Sequence, residues 1–174
     1  MFKSENKEIK KKILNDKRFK IDRYTFENHL NLSKILFYKV KKIKLGDILR
    51  FQDNQIISLE NSDVYQYLNN DKDKEKKYEN YCKKNCIGED KKFHNKNIYN
   101  NLINQLNHEK YDIKKGAIVV SQFNIIMDGQ HRTCILLKNK GPNYKISVVK
   151  IYYLHIGFPS YVAYIKYLIK KRKI

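Results

Sequence analysis

The chain has 174 residues, with 37 Lys or Arg against 18 Asp or Glu, and a formal net charge of +19. Hydrophobic residues make up 41% of the sequence and aromatic residues 13%, which is enough for a packed core and excludes a fully disordered chain. No apolar run approaches the about 18 residues of a transmembrane helix, and residues 1–20 lack the apolar stretch of a secretory signal. We therefore expect a single cytoplasmic domain without a membrane span.

The basic residues are mainly lysine, with only five arginines. Lys, Asn, Ile and Tyr are abundant together, which is typical of AT-rich coding sequence, so part of the charge is background. The remaining positive charge favours phosphate-bearing partners (a nucleotide, a nucleic acid or an anionic lipid) without choosing among them. An arginine in such a chain is more informative than a lysine.

The first third of the chain predicts one helix followed by strands. Apolar residues at helical spacing predict a helix over 4–17, and alternation predicts strands at 36–40 and 42–45. Gly46-Asp47 ends this run, and 55–59 is a short strand. We assign residues 1–35 to an N-terminal helical extension of a core that spans 36–156.

Residues 61–92 are rich in charge and predict a polar surface insertion, with a mobile lid over a substrate as the alternative. Cys82 and Cys86 lie in this segment as C-x3-C. A zinc site needs four ligands at suitable spacing, and His94 and His108 are too far apart to complete it. Free thiols on one helix face are the favoured interpretation.

Regular structure returns at residue 95. An amphipathic helix over 95–107 is followed by two apolar strands, 117–121 and 125–127, that form a hairpin or a bent strand pair. A helix over 131–137 ends at Gly141-Pro142, and 145–153 is a long strand. Residues 157–174 form a basic C-terminal helix. The apolar face of this helix comprises Val162, Ile165, Leu168 and Ile169.

The segment Asp128-Gly-Gln-His-Arg132 joins a strand directly to a helix. The first amides of that helix have no intrahelical acceptor, and the helix dipole makes the point mildly positive. His131 and Arg132 add side-chain donors, so the segment predicts an anion site suited to phosphate. Gly129 permits close approach of a ligand to the backbone, and Asp128 is a candidate metal ligand or proton acceptor.

A purely structural interpretation of this segment stays equally open. Asp128 is then a helix cap, Gly129 a turn residue, and the next two residues a solvated first turn. Cys134 follows as a buried small hydrophobe rather than a nucleophile.

With its flanking strand, helix and Gly-ended turn, Asp128-Gly-Gln-His-Arg132 resembles the ParB/sulfiredoxin superfamily, and residues 40–48 resemble its opening strand. The resemblance covers about residues 40–153. It implies an α+β fold, with a small mixed sheet flanked by helices, that binds ATP or CTP and Mg²⁺. It also implies a site. Phosphate would be held by Gly129, Gln130, His131, Arg132 and Thr133, and Asp128 would serve as the metal ligand and a catalytic residue.

The chain departs from each known activity of that superfamily. Gln130 stands where sulfiredoxins carry the reactive cysteine. The kinase members use a Glu soon after the opening strand, and here only Asp53 offers a substitute. The partition proteins add a helix-turn-helix domain for which the 21 residues after Tyr153 are too few.

Three functions follow from the sequence. The first is a nucleotide-dependent phosphotransferase acting on a small hydroxylated molecule, or a nucleotide hydrolase. The second is a nucleic-acid-binding module, supported by the net charge, the basic end at 170–173 and 14 tyrosines available for stacking. The third is a non-catalytic relative that uses the phosphate pocket for regulation.

Overall fold

The computed structural model describes residues 2–21, 33–68, 76, 78, 96–155 and 159–171. Within these residues the chain folds as α+β, with helices against a four-stranded mixed sheet and a separate two-stranded sheet. In chain order the elements are α1 (Phe2–Leu14), β1 (Ser33–Lys44), β2 (Leu49–Gln52), β3 (Gln55–Ser58), α2 (Asp63–Tyr67), α3 (Lys96–His108), β4 (Val119–Ser121), β5 (Ile126–Asp128), α4 (Gln130–Lys140), β6 (Lys145–His155) and α5 (Pro159–Lys171). The predicted fold class is thereby confirmed at the level of a mixed sheet flanked by helices.

The strand order of the main sheet is β1-β6-β4-β5. Strand β6 pairs antiparallel with β1 and parallel with β4, and β4 pairs antiparallel with β5. Two parallel strands need a long connection between them, and here that connection contains β5 and α4. Helix α4 therefore starts at the end of β5 and packs back onto the sheet.

Both faces of the sheet are covered near its centre. Ile118 and Val120 face a core formed with α2, α3 and α4, whereas Val119 faces a second core that includes Ile13 of α1. Because both faces are buried, β4 is a continuous apolar run rather than an alternating one. Helix α1 packs on this second face of the sheet, and Ile13 is 1% exposed.

Two strand predictions merge in the structure. The strands expected at 36–40 and 42–45 form one strand, β1, because no turn residue interrupts the chain there, although Val40 and Ile43 pack on opposite faces of the sheet. Asp53 and Asn54 form the two-residue turn between β2 and β3, and both have positive φ. The hairpin packs with α5 in a third core around Leu49 and Ile56.

The segment predicted as a polar surface insertion begins in the core instead. Ser62 caps helix α2 by accepting a hydrogen bond from the Tyr65 amide, and Val64 is 0% exposed. Residues 63–67 form a short helix with one buried face, so the prediction of a surface segment is wrong for this part of the chain. Cys82, Cys86 and His94 lie outside the described residues.

The apolar face predicted for the last helix is also wrong. Ile165 and Ile169 are each 54% exposed, whereas Ala163, Tyr164 and Tyr167 pack on the β2–β3 hairpin. Val162 and Lys170–Lys173 lie outside the side chains that the structure describes. None of the helices in the described ranges combines the length and the apolar character required to cross a membrane.

Candidate anion site at the start of helix α4

Gly129 links β5 to α4 and is required there by the fold itself. Its φ is 81°, a left-handed conformation that costs other residues energy. A Cβ at this position would lie 3.1 Å from Ile118 Cγ1 and 3.2 Å from the Ala117 carbonyl oxygen. Backbone conformation and packing on β4 therefore explain this glycine without any ligand.

Asp128 and Thr133 both bond to Gly129. Asp128 Oδ1 accepts a hydrogen bond from the Gly129 amide at 2.7 Å, so one carboxylate oxygen satisfies a free amide at the helix start. Thr133 is 0% exposed and its hydroxyl donates to the Gly129 carbonyl at 2.8 Å. The expected phosphate contact of Thr133 is corrected by this burial, since the hydroxyl faces the core.

Gln130 and His131 are held against the protein. Gln130 is only 7% exposed. His131 Nε2 lies 2.9 Å from the Tyr78 hydroxyl, and its ring meets Tyr99 edge-on at 4.7 Å. Tyr67 stacks on Tyr78 at 4.4 Å, so the imidazole sits at the border of a tyrosine cluster. A phosphate contact through His131 Nε2 would have to replace its bond to Tyr78.

Arg132 is the motif side chain left for a ligand. It is partly buried, and no ion pair or hydrogen bond reaches its guanidinium from any residue that the structure describes. The guanidinium packs on Gly116, where a Cβ would lie 2.5 Å from Nη2 and 2.8 Å from Cζ. Gly116 thus gives the guanidinium its place beside the start of α4.

Tyr111 joins this site although its sequence context gave no indication of it. Its hydroxyl accepts a hydrogen bond from the Ile118 amide at 3.1 Å, which leaves the phenol proton as a donor. Burial raises the pKa of Tyr111 to about 12, while the nearby charge of Arg132 lowers it and that of Asp128 raises it. The phenol therefore stays protonated and lies within electrostatic range of both side chains.

Together these groups define the anion site, formed by Tyr111, Gly116, Asp128 and Arg132 with the first amides of α4. A partly buried guanidinium, a phenol donor and a helix N-terminus favour a negatively charged group with several oxygen acceptors. The site is smaller than the sequence motif, since three of the expected side chains, Gln130, His131 and Thr133, are held by the protein itself.

A second arginine lies beside the same helix. Arg50 on β2 carries a buried Nε without a hydrogen-bond partner among the described residues, and its charge reaches the Cys134 thiol. Asp53, the expected substitute for a catalytic Glu, is exposed in the turn at the end of β2. Its positive φ of 48° gives it a structural role as a turn residue.

The fit of Mg²⁺ depends on Asp128. Within the described ranges no group of three His, Cys, Asp or Glu side chains converges on one point. Magnesium at nucleotide sites uses one or two carboxylates together with phosphate oxygens and water. Among the residues described, Asp128 is the one carboxylate at the start of α4 that could take this part, and its Oδ1 accepts from the Gly129 amide.

No protein-family model matches the chain, and a search of curated proteins and of solved structures found no significant match either.

Proposed function

We propose that this protein binds a phosphate-bearing small molecule, most simply a nucleotide, at the anion site, in a fold of the ParB/sulfiredoxin type. The observation that carries the proposal is Arg132. A partly buried guanidinium without a protein partner in the described chain is costly unless it serves a ligand, because desolvation of a charge is repaid only by an opposite charge. Phosphate matches the planar donor pattern of arginine.

The order of elements supports the same assignment. An antiparallel β4–β5 hairpin delivers Asp128 and Gly129 to the start of α4, and α4 crosses over to β6. This strand-turn-helix-strand order is the one that the resemblance implies around the Asp-Gly-Gln-His-Arg segment. The nucleotide would be ATP or CTP, with Mg²⁺ held by its phosphates and Asp128.

Phosphoryl transfer is the reaction that we favour for this site. In this reaction Arg132 would neutralise charge on the transferred phosphoryl group. Asp128 would accept the proton of a substrate hydroxyl while the oxygen of that hydroxyl bonds to phosphorus. The nucleoside diphosphate is the leaving group. Asp53 has no supporting contact for a catalytic role among the described residues, so a non-catalytic relative that senses the nucleotide is the second candidate.

Calorimetric titration of ATP and CTP, with and without Mg²⁺, tests binding. Replacing Arg132 with Ala removes a charged hydrogen-bond donor, and we expect affinity to fall roughly 10- to 150-fold. Arg18→Ala is the matched control. Arg18 is exposed, pairs with Asp16 two residues before it, and is remote from Arg132 in the sequence. Equal affinity for Arg132→Ala and Arg18→Ala would remove the proposal.

Gly116→Ala tests the position of the guanidinium without changing any charge. The new methyl group would overlap Nη2 and Cζ of Arg132, and the flexible end of that side chain would move. We expect a loss of nucleotide affinity of about tenfold, as for a displaced charged hydrogen bond. Unchanged affinity would show that the ligand does not use this guanidinium.

Turnover separates the enzyme from the regulatory relative. Asp128→Asn keeps an acceptor for the Gly129 amide but lacks a proton acceptor and the charge beside Mg²⁺, so nucleotide binding measured without Mg²⁺ persists while phosphoryl transfer to sugars, amino acids or nucleosides is lost. If the wild-type protein binds nucleotide but transfers phosphate to none of these acceptors and hydrolyses none, the regulatory function stands.

A further inference from the structure

The main sheet carries a second surface at the far end of the face on which α4 lies. On this face Ile146 and Val148 of β6 are buried under the helices. The next residues of the same face, Lys150 and Tyr152, are only partly buried. Opposite them on β1 are Lys39 and Phe37, in register with Lys150 and Tyr152 respectively. We call Phe37, Lys39, Lys41, Lys150 and Tyr152 the open sheet face.

The aromatic pair is arranged for stacking. The rings of Phe37 and Tyr152 lie 4.3 Å apart and nearly parallel, at 18°. Phe37 keeps 42% of its surface exposed, and a planar group that stacks on its ring would replace the Lys39 ammonium that lies over it.

The lysines surround this pair. Lys39 Nζ lies 5.4 Å from the centre of the Phe37 ring, and Lys150 Nζ lies 5.9 Å from that of Tyr152. Lys39 and Lys150 are directly opposite across the strands, which destabilises a sheet because their charges repel. Burial lowers the pKa of Lys150, and the charge of Lys41 acts in the same direction while Tyr152 opposes it.

Protection of a sheet edge explains only part of this charge. Lysines on an edge strand prevent pairing with other chains, and β1 lies at the end of the described sheet. Lys150, however, is on β6, which is paired on both sides. Its Nζ donates to Asn124 Oδ1 at 2.6 Å, which holds the ammonium on the face. A positive charge fixed on an interior strand beside a like charge indicates an anionic partner.

We propose that the open sheet face binds single-stranded nucleic acid, with a base stacked on the Phe37–Tyr152 pair and phosphates contacting Lys39, Lys41 and Lys150. Bases extend an existing stack of parallel rings, and lysines beside the rings lie where the backbone of the strand passes. A second copy of this chain is disfavoured as the occupant because it would bring the same positive charges together. This surface is distinct from the anion site.

Fluorescence anisotropy with labelled RNA and DNA single strands of about 12 nucleotides tests the proposal. Phe37→Ala and Tyr152→Ala should each weaken binding about tenfold, and Tyr152→Phe, which keeps the ring, should restore it. The Lys39→Gln/Lys41→Gln pair should reduce the slope of log affinity against log salt by about 1.4, or about 0.7 for each phosphate that a lysine no longer neutralises.

Matched controls separate this surface from general charge. Lys7→Gln/Lys11→Gln removes the same charge from exposed positions on α1, which packs on the opposite face of the sheet. Arg132→Ala reports on the anion site, and its loss of nucleotide affinity is independent of strand binding. We expect both controls to bind single strands like the wild type. The RNA and DNA arms identify which strand is preferred.

Four results would overturn the proposal. One is affinity for single strands that is unchanged in both alanine variants and in the double lysine variant. Another is an equal loss in the α1 control. A third is complete competition by inorganic polyphosphate at equal charge, because it has no bases to stack. The last is binding to phosphatidylserine vesicles that single strands do not displace. If an alanine variant does not fold, the salt slope of the lysine pair decides alone.

Discussion

One face of the main sheet has two ends that differ in how their polar and charged side chains are used. We call the end under α4 the covered end, and the other is the open sheet face. Under α4, most residues of the Asp-Gly-Gln-His-Arg segment make contacts within the protein, and Arg132 is the side chain left unpaired within the described chain. On the open sheet face, no motif is present in the sequence, yet Lys39 and Lys150 lie side by side at a cost to stability. A motif thus marks a place where the local structure is demanding, and a binding surface need not carry one.

Gly129→Ala tests the covered end, where we expect the largest effect. The left-handed φ and the contact with Ile118 and the Ala117 carbonyl together should cost about 2–4 kcal/mol of unfolding free energy. Urea denaturation measures it. Gly116→Ala is the matched control, because the three atoms nearest its methyl all belong to the flexible end of the Arg132 side chain, and it should change stability by less than about 0.5 kcal/mol. Similar values for the two variants would contradict the packing role of Gly129.

Alkaline pH should weaken the covered end through Cys134. Burial raises the pKa of this fully buried thiol from its ordinary 9.0 to about 12. The thiol therefore stabilises the native state fully below pH 9, and this stability is lost as pH rises from 9 to 12, by about 1.4 kcal/mol per pH unit. The difference in unfolding free energy between wild type and Cys134→Ala should shrink over that range. A constant difference would show that the thiol ionises in the native protein.

Lys39→Gln should raise the unfolding free energy, whereas Gly129→Ala and alkaline pH lower it, and its effect should be the smallest of the three. It relieves the repulsion with Lys150, so we expect a gain of about 0.3 kcal/mol in unfolding free energy at low salt. Lys7→Gln on α1 provides the comparison at equal loss of charge. A loss of stability in Lys39→Gln would mean that the lysine packs usefully on Phe37, and the contrast between the two ends would disappear.

Much of the secondary structure was predictable because hydrophobic period is a local property. The helix found as α3, the β4–β5 hairpin, the helix α4 ending at Gly141 and the long strand β6 all follow from spacing and turn residues. The face of α5 was not predictable, since its sequence offers apolar residues on two sides and only the β2–β3 hairpin selects Ala163, Tyr164 and Tyr167. The buried start of the 61–92 segment was missed because Val64 and Leu68, although four residues apart as in a helix, form too short a pattern to stand out from the charged run that follows.

The sequence alone determined that a strand runs into a helix at Asp128 and Gly129, and that donors gather there. Only the tertiary structure decided which of them remain available. Burial removed Thr133, the tyrosine cluster engaged His131, and the loop before β4 brought Tyr111 and Gly116 to Arg132. The open sheet face was decided in the same way, since Phe37 and Tyr152 are 115 positions apart and meet only through strand register. Local propensity depends on near neighbours in the chain, whereas solvent access and cross-strand neighbours depend on contacts that no short segment contains.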